Sequence, residues 1–177
     1  MTNLAPKSGR SRQYAVTPAA AFAHQDAAYL GAALDELSHR LFDLIEDLGP
    51  TVLEAVPANA THSIATLTVH LADAEAIWLS RIPESTDALE LRTILKQSQQ
   101  NCPTRAPELI TLCQRIRAKI TIPSLVGRVE IDTPVVQHDK VKSVRQVLLH
   151  QLWHWTYHTG QIGLLRRMFG PRYQWNF

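Results

Sequence analysis

Two histidines four residues apart, His154 and His158 in the stretch HQLWHWTYHTGQIGLLRRMFG, carry the chemistry most readily read from this chain. On a helix, residues at i and i+4 are offset by ~40° and stand about 6 Å apart along the axis. Two imidazoles so placed can close on one metal ion from one side as neutral nitrogen donors. His70, in HSIATLTVHLADAEAIWLSRI, offers a third donor. A three-histidine site between two helices is therefore one reading of the sequence.

His150 extends the pair to a row at i, i+4 and i+8. A buried row of histidines is costly unless its nitrogens are satisfied, and charging it costs more. A shared metal satisfies two of the three directly; a hydrogen-bonded polar ridge is the alternative, and the residues alone leave both open. The zinc peptidases share the H-x-x-x-H spacing but need a glutamate directly after the first histidine as general base. Here Trp155, Thr156 and Tyr157 intervene, so that base is missing. Gln161, three residues after His158, and Tyr157, three after His154, are candidates for orienting the imidazoles or lining a pocket. His150 is a candidate for the same pocket, with a plain polar core role as the alternative. Of the other histidines, His24, His39 and His138 read as surface or hydrogen-bonded residues, and His62 as a cap or surface residue. Asp73 and Glu75 read as solvated helix charges.

The elements that must position these groups are helical. Residues 1–16 are polar, basic and without periodicity, a flexible N-terminal tail; residues 17–177 form one domain. Thr17-Pro18 is the pattern of a helix start, and apolar residues recur at helical spacing to Leu48, before Gly49-Pro50. Residues 51–62 are a connection. A second helix is expected from about 61–63 to Ile82, ended by Pro83, with His70 beside Leu67, Leu71 and Ala74 and facing the core. Residues 84–122 read as a third helix broken at Pro103, its second piece running from Pro107 to about Ile120. Between Pro123 and Lys142 the β-branched runs RVEI and PVVQ suggest a short irregular hairpin or a loop. Ser143 with Gln146 is a capping box that opens the last helix, which ends at Gly170-Pro171. Tyr173 and Trp175 are available to pack across the bundle end. Four amphipathic stretches joined this way make an all-α four-helix bundle.

The bulk numbers agree. At 177 residues, 45% hydrophobic and 19% charged, the chain has the composition of a globular protein. No apolar run approaches the ~20 residues of a membrane span, and no secretory signal is visible. A formal charge of +2 without a basic cluster argues against nucleic acid. Cys102 and Cys113 form no metal or redox motif, and a cytoplasmic protein with free thiols is expected.

Three features resemble the DinB/YfiT-like superfamily. One is SIATLTVHLADAEAIWL, with its histidine about seven residues in and a tryptophan eight further on. Another is HWTYHTGQI, two histidines at i, i+4 followed by a residue, Gly and Gln. The last is the aromatic-rich tail with the Pro-bearing loop before the final helix. Together they span about residues 18 to 177. The resemblance implies a four-helix bundle holding a divalent metal with one histidine from the second helix and two from the fourth, here His70, His154 and His158. It departs at Thr159, where a basic side chain is common. It further implies a transferase or isomerase that depends on a low-molecular-weight thiol, acting on a small-molecule substrate, and a homodimer. Zinc, nickel and iron all accept imidazole. The expectation is a thiol-dependent transferase; the alternatives are a non-catalytic, stress-related metal-binding or dimerising bundle and a metal-dependent hydrolase.

Overall fold

The computed structural model describes residues 13–18, 20–82, 88–127, 130–137 and 139–173. Its first helix, α1, spans Gln25–Ile45, where Leu34, Leu41, Leu44 and Ile45 give a buried stripe. The start expected at Thr17-Pro18 is not used. His24 is the N-cap, its Nδ1 accepting from the Asp26 N–H at 3.2 Å. Phe22 supplies the reason: its ring lies where a Cβ on Gly31 would come within 3.0 Å. In a helix continuous from Pro18, Phe22 would sit about 13 Å along the axis from Gly31, out of reach. The backbone of Gln13, in the stretch expected as tail, is bonded to Glu36 and Arg40.

Gly49 caps a short helix, α2 (Pro50–Glu54), inside the expected connection. Helix α3 spans Ile64–Leu79 and opens on a capping box between Ser63 and Thr66. It closes at Ser80; Pro83 lies outside the described residues. The third stretch is broken as expected, into α4 (Ala88–Gln100) and α5 (Ala106–Ile116), with Pro107 in the first turn of the latter. Without leaving the helical path, α5 passes through a wide π turn at Arg117–Thr121 into α6 (Ile122–Leu125).

A hairpin precedes the last helix, with PVVQ as one strand, as expected, and a different partner. Strand β1 (Pro134–Gln137) pairs antiparallel with β2 (Lys140–Ser143), in register from Pro134↔Ser143 to Gln137↔Lys140. The segment RVEI is not β1's partner. Its described end, residues 130–131, lies outside any strand, and the Ile131 and Thr133 carbonyls accept the Arg145 and Val144 N–H groups. Those are orphan donors of a helix N-terminus, so this backbone is committed to capping.

Helix α7, Val144–Phe169, opens on the Ser143–Gln146 capping box and ends at Gly170, as expected. It packs mainly on α1 and also on α3, while α3 also packs on α5, closing a four-helix bundle. Buried Arg166 fastens its C-terminal end. The guanidinium donates to both Asp47 oxygens, at 2.5 and 2.8 Å, and to the Leu44 carbonyl. Tyr173 lies under Arg166, 4.9 Å from guanidinium carbon to ring centroid, and Trp175 is outside the described residues. Among the described residues no helix is long and apolar enough to cross a membrane.

Candidate metal centre

The groove between α3 and α7 brings His70, His154 and His158 together: one donor atom from each lies within 4.8 Å of the others. His70 Nε2 and His154 Nε2 are 3.0 Å apart. Two nitrogens bound tetrahedrally at about 2.0 Å from one ion would stand about 3.3 Å apart, so this pair already has the spacing of ligands. The rings pack edge-on, with centroids at 4.8 Å for His70–His154, 5.0 Å for His70–His158 and 4.5 Å for His154–His158.

The neighbours decide which nitrogen of His158 is free. Gln161 Oε1, which can only accept, lies 2.7 Å from His158 Nδ1, so the proton sits on Nδ1 and the Nε2 lone pair faces away. Gln161 is held in turn by donating its amide to the Tyr157 hydroxyl at 3.2 Å. The two side chains proposed from sequence to orient the imidazoles thus touch the site in a chain, Tyr157 to Gln161 to His158. His150 continues the row, its ring stacked 5.8 Å from His154 and tilted against Trp78 at 5.4 Å, but it adds no atom to the cluster.

Two expectations are corrected. His70 does not face the core; it is exposed at the groove mouth, with His154 and His158 half-buried beneath it. The centre of the buried face of α3 runs through Thr68 and Glu75, about 160° around the helix from His70. Both are polar, which disguises the phase. Glu75 is therefore not a solvated charge either. It is 1% exposed, and it accepts from Arg117 Nε at 2.6 Å, from Arg117 Nη2 at 3.0 Å and from the Thr121 hydroxyl. The sequence carries a signal for this: a carboxylate four residues from both Leu71 and Leu79, on an apolar ridge, demands a buried cation. Asp73, half-buried, accepts from Gln99 at 2.6 Å.

The electrostatics favour neutral donors. Burial lowers the pKa of His154 to about 4, with His158, His70 and His150 adding repulsion. Burial is also the leading cause of lowered values at His70 and at His158. The donor set thus fits a divalent ion: three imidazoles kept neutral, one oriented by a neighbour, at ligand spacing.

Proton release on metal binding tests this. At pH 6, three histidines of ordinary pKa would be about three-quarters protonated each and would give up about two protons to a metal. Calorimetric titration with Zn2+ at pH 6, in buffers of different ionisation enthalpy, should give well under that; two or more would contradict the depressed values. The sign for stability follows. The unfolded imidazoles bind more protons between pH 6.5 and about 4, so the metal-free fold loses stability as pH falls through that window.

A cavity of about 280 Å3 opens against His70, lined also by His62, Thr66, Val69, Ser98, Gln99 and Cys102. Both cysteines are free. Burial, then Glu54, raises the Cys102 thiol pKa, and Cys113 is pushed up to about 12 by burial above all, so neither is poised as a nucleophile.

A family model described as DinB family matches residues 32–175. The chain belongs to the DinB family. No match was found among curated proteins. The match runs from within α1 through α7, so the three histidines of this DinB-family bundle all lie inside it.

Proposed function

We propose that this DinB-family protein is a metal-dependent transferase, in which His70, His154 and His158 hold a divalent ion that activates a small thiol. The observation that carries the reading is a three-imidazole cluster at an open groove with a cavity against one of its members. A metal that only stapled helices would be closed by a fourth side chain, whereas the described residues offer three donors here. A divalent ion in such a site lowers the pKa of a bound thiol, so that the nucleophile exists near pH 7.

The chain's own part is to bind and orient. Gln161 fixes the His158 tautomer, and Thr66, Ser98 and Gln99 line the cavity with hydrogen-bonding groups for a polar thiol. The thiol sulfur forms a bond to an electrophilic carbon, a C–Cl or epoxide C–O bond breaks, and the thiol proton leaves to solvent or to the opened oxygen. The raised Cys102 and Cys113 values support an external thiol, such as those abundant in the cytoplasm, where we place the reaction. Metal-dependent hydrolysis is less well supported, since among the described residues no carboxylate joins the cluster and Asp73 is engaged by Gln99.

A panel of low-molecular-weight thiols against chloro-aromatics and epoxides should give metal-dependent turnover that vanishes in His70→Ala. Metal binding with equal background rates in parent and variant would leave the non-catalytic metal-binding bundle as the function. Zinc, nickel and iron are the candidate ions, to be separated by elemental analysis of untagged protein.

A homodimer is part of this reading. Trp153 (74% exposed), Tyr157 (64%), Leu164 (59%) and Met168 (55%) form one apolar stripe on α7. Gly160 stands among them with nothing within 4 Å of its Cβ position, which allows another helix to approach closely. The second copy is the occupant that fits. A twofold axis through Gly160 brings Trp153, seven residues before it, opposite Arg167 of the other copy, seven after, a cation–π arrangement. Light scattering should give a dimer, and Trp153→Glu a monomer; a monomeric parent at tens of micromolar would remove the dimer.

A further inference from the structure

His70 belongs to a ridge on α3. Ala74 and Trp78 follow it at i+4 and i+8, and on α7 His150, His154 and His158 stand at the same spacing, so two ridges line the groove between the helices. Trp78 meets His150, with ring centroids 5.4 Å apart, two turns along from the place where His70 meets His154 and His158. Between the two ring contacts this ridge of α3 contributes only the methyl group of Ala74.

The rings carry the histidine cluster on along the groove. His150 is exposed and stacked on His154, with centroids 5.8 Å apart and planes at 17°. Burial first, and then the Lys142 charge, lower its pKa, so the ring is neutral at pH 7. Lys142, from β2, ends the row: its Nζ sits over the Trp78 ring, 5.7 Å from the centroid. Among the described residues no carboxylate pairs with this ammonium; the ring holds it in place instead.

The cavity assigned to the thiol lies the other way. It opens at His62 and Thr66, toward the N-terminal end of α3, whereas Trp78 stands two turns beyond His70 toward the C-terminal end. A thiol and a second substrate can therefore reach the cluster from opposite ends of the groove.

The row sets the class of that second substrate. Its rings suit a planar, polarisable partner, and an unpaired ammonium at the far end suits an anion. We propose that this end of the groove binds an aromatic anion, a carboxylate or sulfonate, as the electrophile of the reaction. Its ring lies along His150 and Trp78, its anionic group meets Lys142, and its reactive carbon is turned toward the histidine cluster. As a substrate assignment this rests on the transferase reading. The step is substitution at the ring: the thiol sulfur bonds to carbon, chloride leaves with the electron pair of the C–Cl bond, and the thiol proton goes to solvent.

Two measurements on the zinc-loaded, full-length protein test it. The first needs no turnover: calorimetric titration with 3,5-dinitrobenzoate and with 1,3-dinitrobenzene, which has the same ring without the carboxylate. The benzoate should bind at least about tenfold more tightly, and Lys142→Met should weaken it at least about fivefold with metal content unchanged. Lys142→Arg, which keeps the charge, should restore most of that loss. The second is the ratio of kcat/KM for 4-chloro-3,5-dinitrobenzoate to that for 1-chloro-2,4-dinitrobenzene with one thiol, each divided by its uncatalysed rate. It should exceed about ten in the parent and fall below about three in Lys142→Met. Equal binding of the two ring compounds overturns the proposal, and so does equal binding of the benzoate by parent and Lys142→Met, as when the carboxylate settles on zinc. Lys142-dependent binding without turnover by any thiol would overturn the transferase reading and leave the aromatic-anion site standing.

Discussion

Replacing His154 by alanine is expected to abolish metal binding, with an affinity loss of more than about 100-fold. His154 is the middle member of the cluster, its Nε2 3.0 Å from His70 Nε2 and its ring the nearest to His158. Without it the remaining donors sit on different helices and gain little from each other. The measurement need not involve catalysis. A ligand that binds only the folded state stabilises it by about 4 kcal/mol at a thousand times its Kd, so Zn2+ should raise the melting temperature of the parent and leave that of His154→Ala unmoved. Gln161→Leu should fall between. It keeps all three donors but frees the His158 ring, and losing such an orienting partner costs about 10- to 100-fold in affinity. A metal-dependent rise of full size in His154→Ala would end the three-histidine assignment.

Glu75→Ala is expected to be the most damaging substitution for the fold, costing about 3–5 kcal/mol, because it leaves a buried guanidinium without its counter-ion. The carboxylate takes both Arg117 bonds and the Thr121 hydroxyl, so one truncation orphans three groups. For a chain of this length that corresponds to a fall in Tm of roughly 6–20 °C. The pair itself is a different matter, since apolar replacement of both partners in a buried pair is often neutral or better. Glu75→Leu combined with Arg117→Met should therefore recover most of the loss. Urea unfolding of the two single variants and the double one gives the comparison. A loss under 1 kcal/mol for Glu75→Ala would mean that water reaches Arg117 in the native state.

Much of the site was legible because helical spacing is a local rule. His154, His158 and Gln161 belong to one uninterrupted helix, so their separation of four and three residues fixes a shared face whatever the rest of the chain does. The Ser143–Gln146 box was readable for the same reason, and so was the break at Pro103. The errors fell where a distant partner overrides a local pattern. Thr17-Pro18 has the chemistry of a helix start, but Phe22 packs back on Gly31 and moves the start to His24. RVEI has the composition of a strand, but the carbonyls near it serve the N-terminus of α7.

His70 shows the boundary most clearly. The sequence by itself determined that α3 is a helix, that it carries one histidine, and that α7 carries a pair at one-turn spacing. Which way α3 is rotated was decided only by the tertiary structure, because its core face holds Thr68 and Glu75, polar residues made tolerable by partners in the folded bundle. Thr68 donates to the Ile64 carbonyl within its own helix, but Glu75 depends on Arg117, 42 residues further on. Hydrophobic periodicity reports how much water a side chain can afford to lose. It cannot report an ion pair whose two halves meet only after folding, and here that pair turns α3 so that His70 lies at the open edge of the groove.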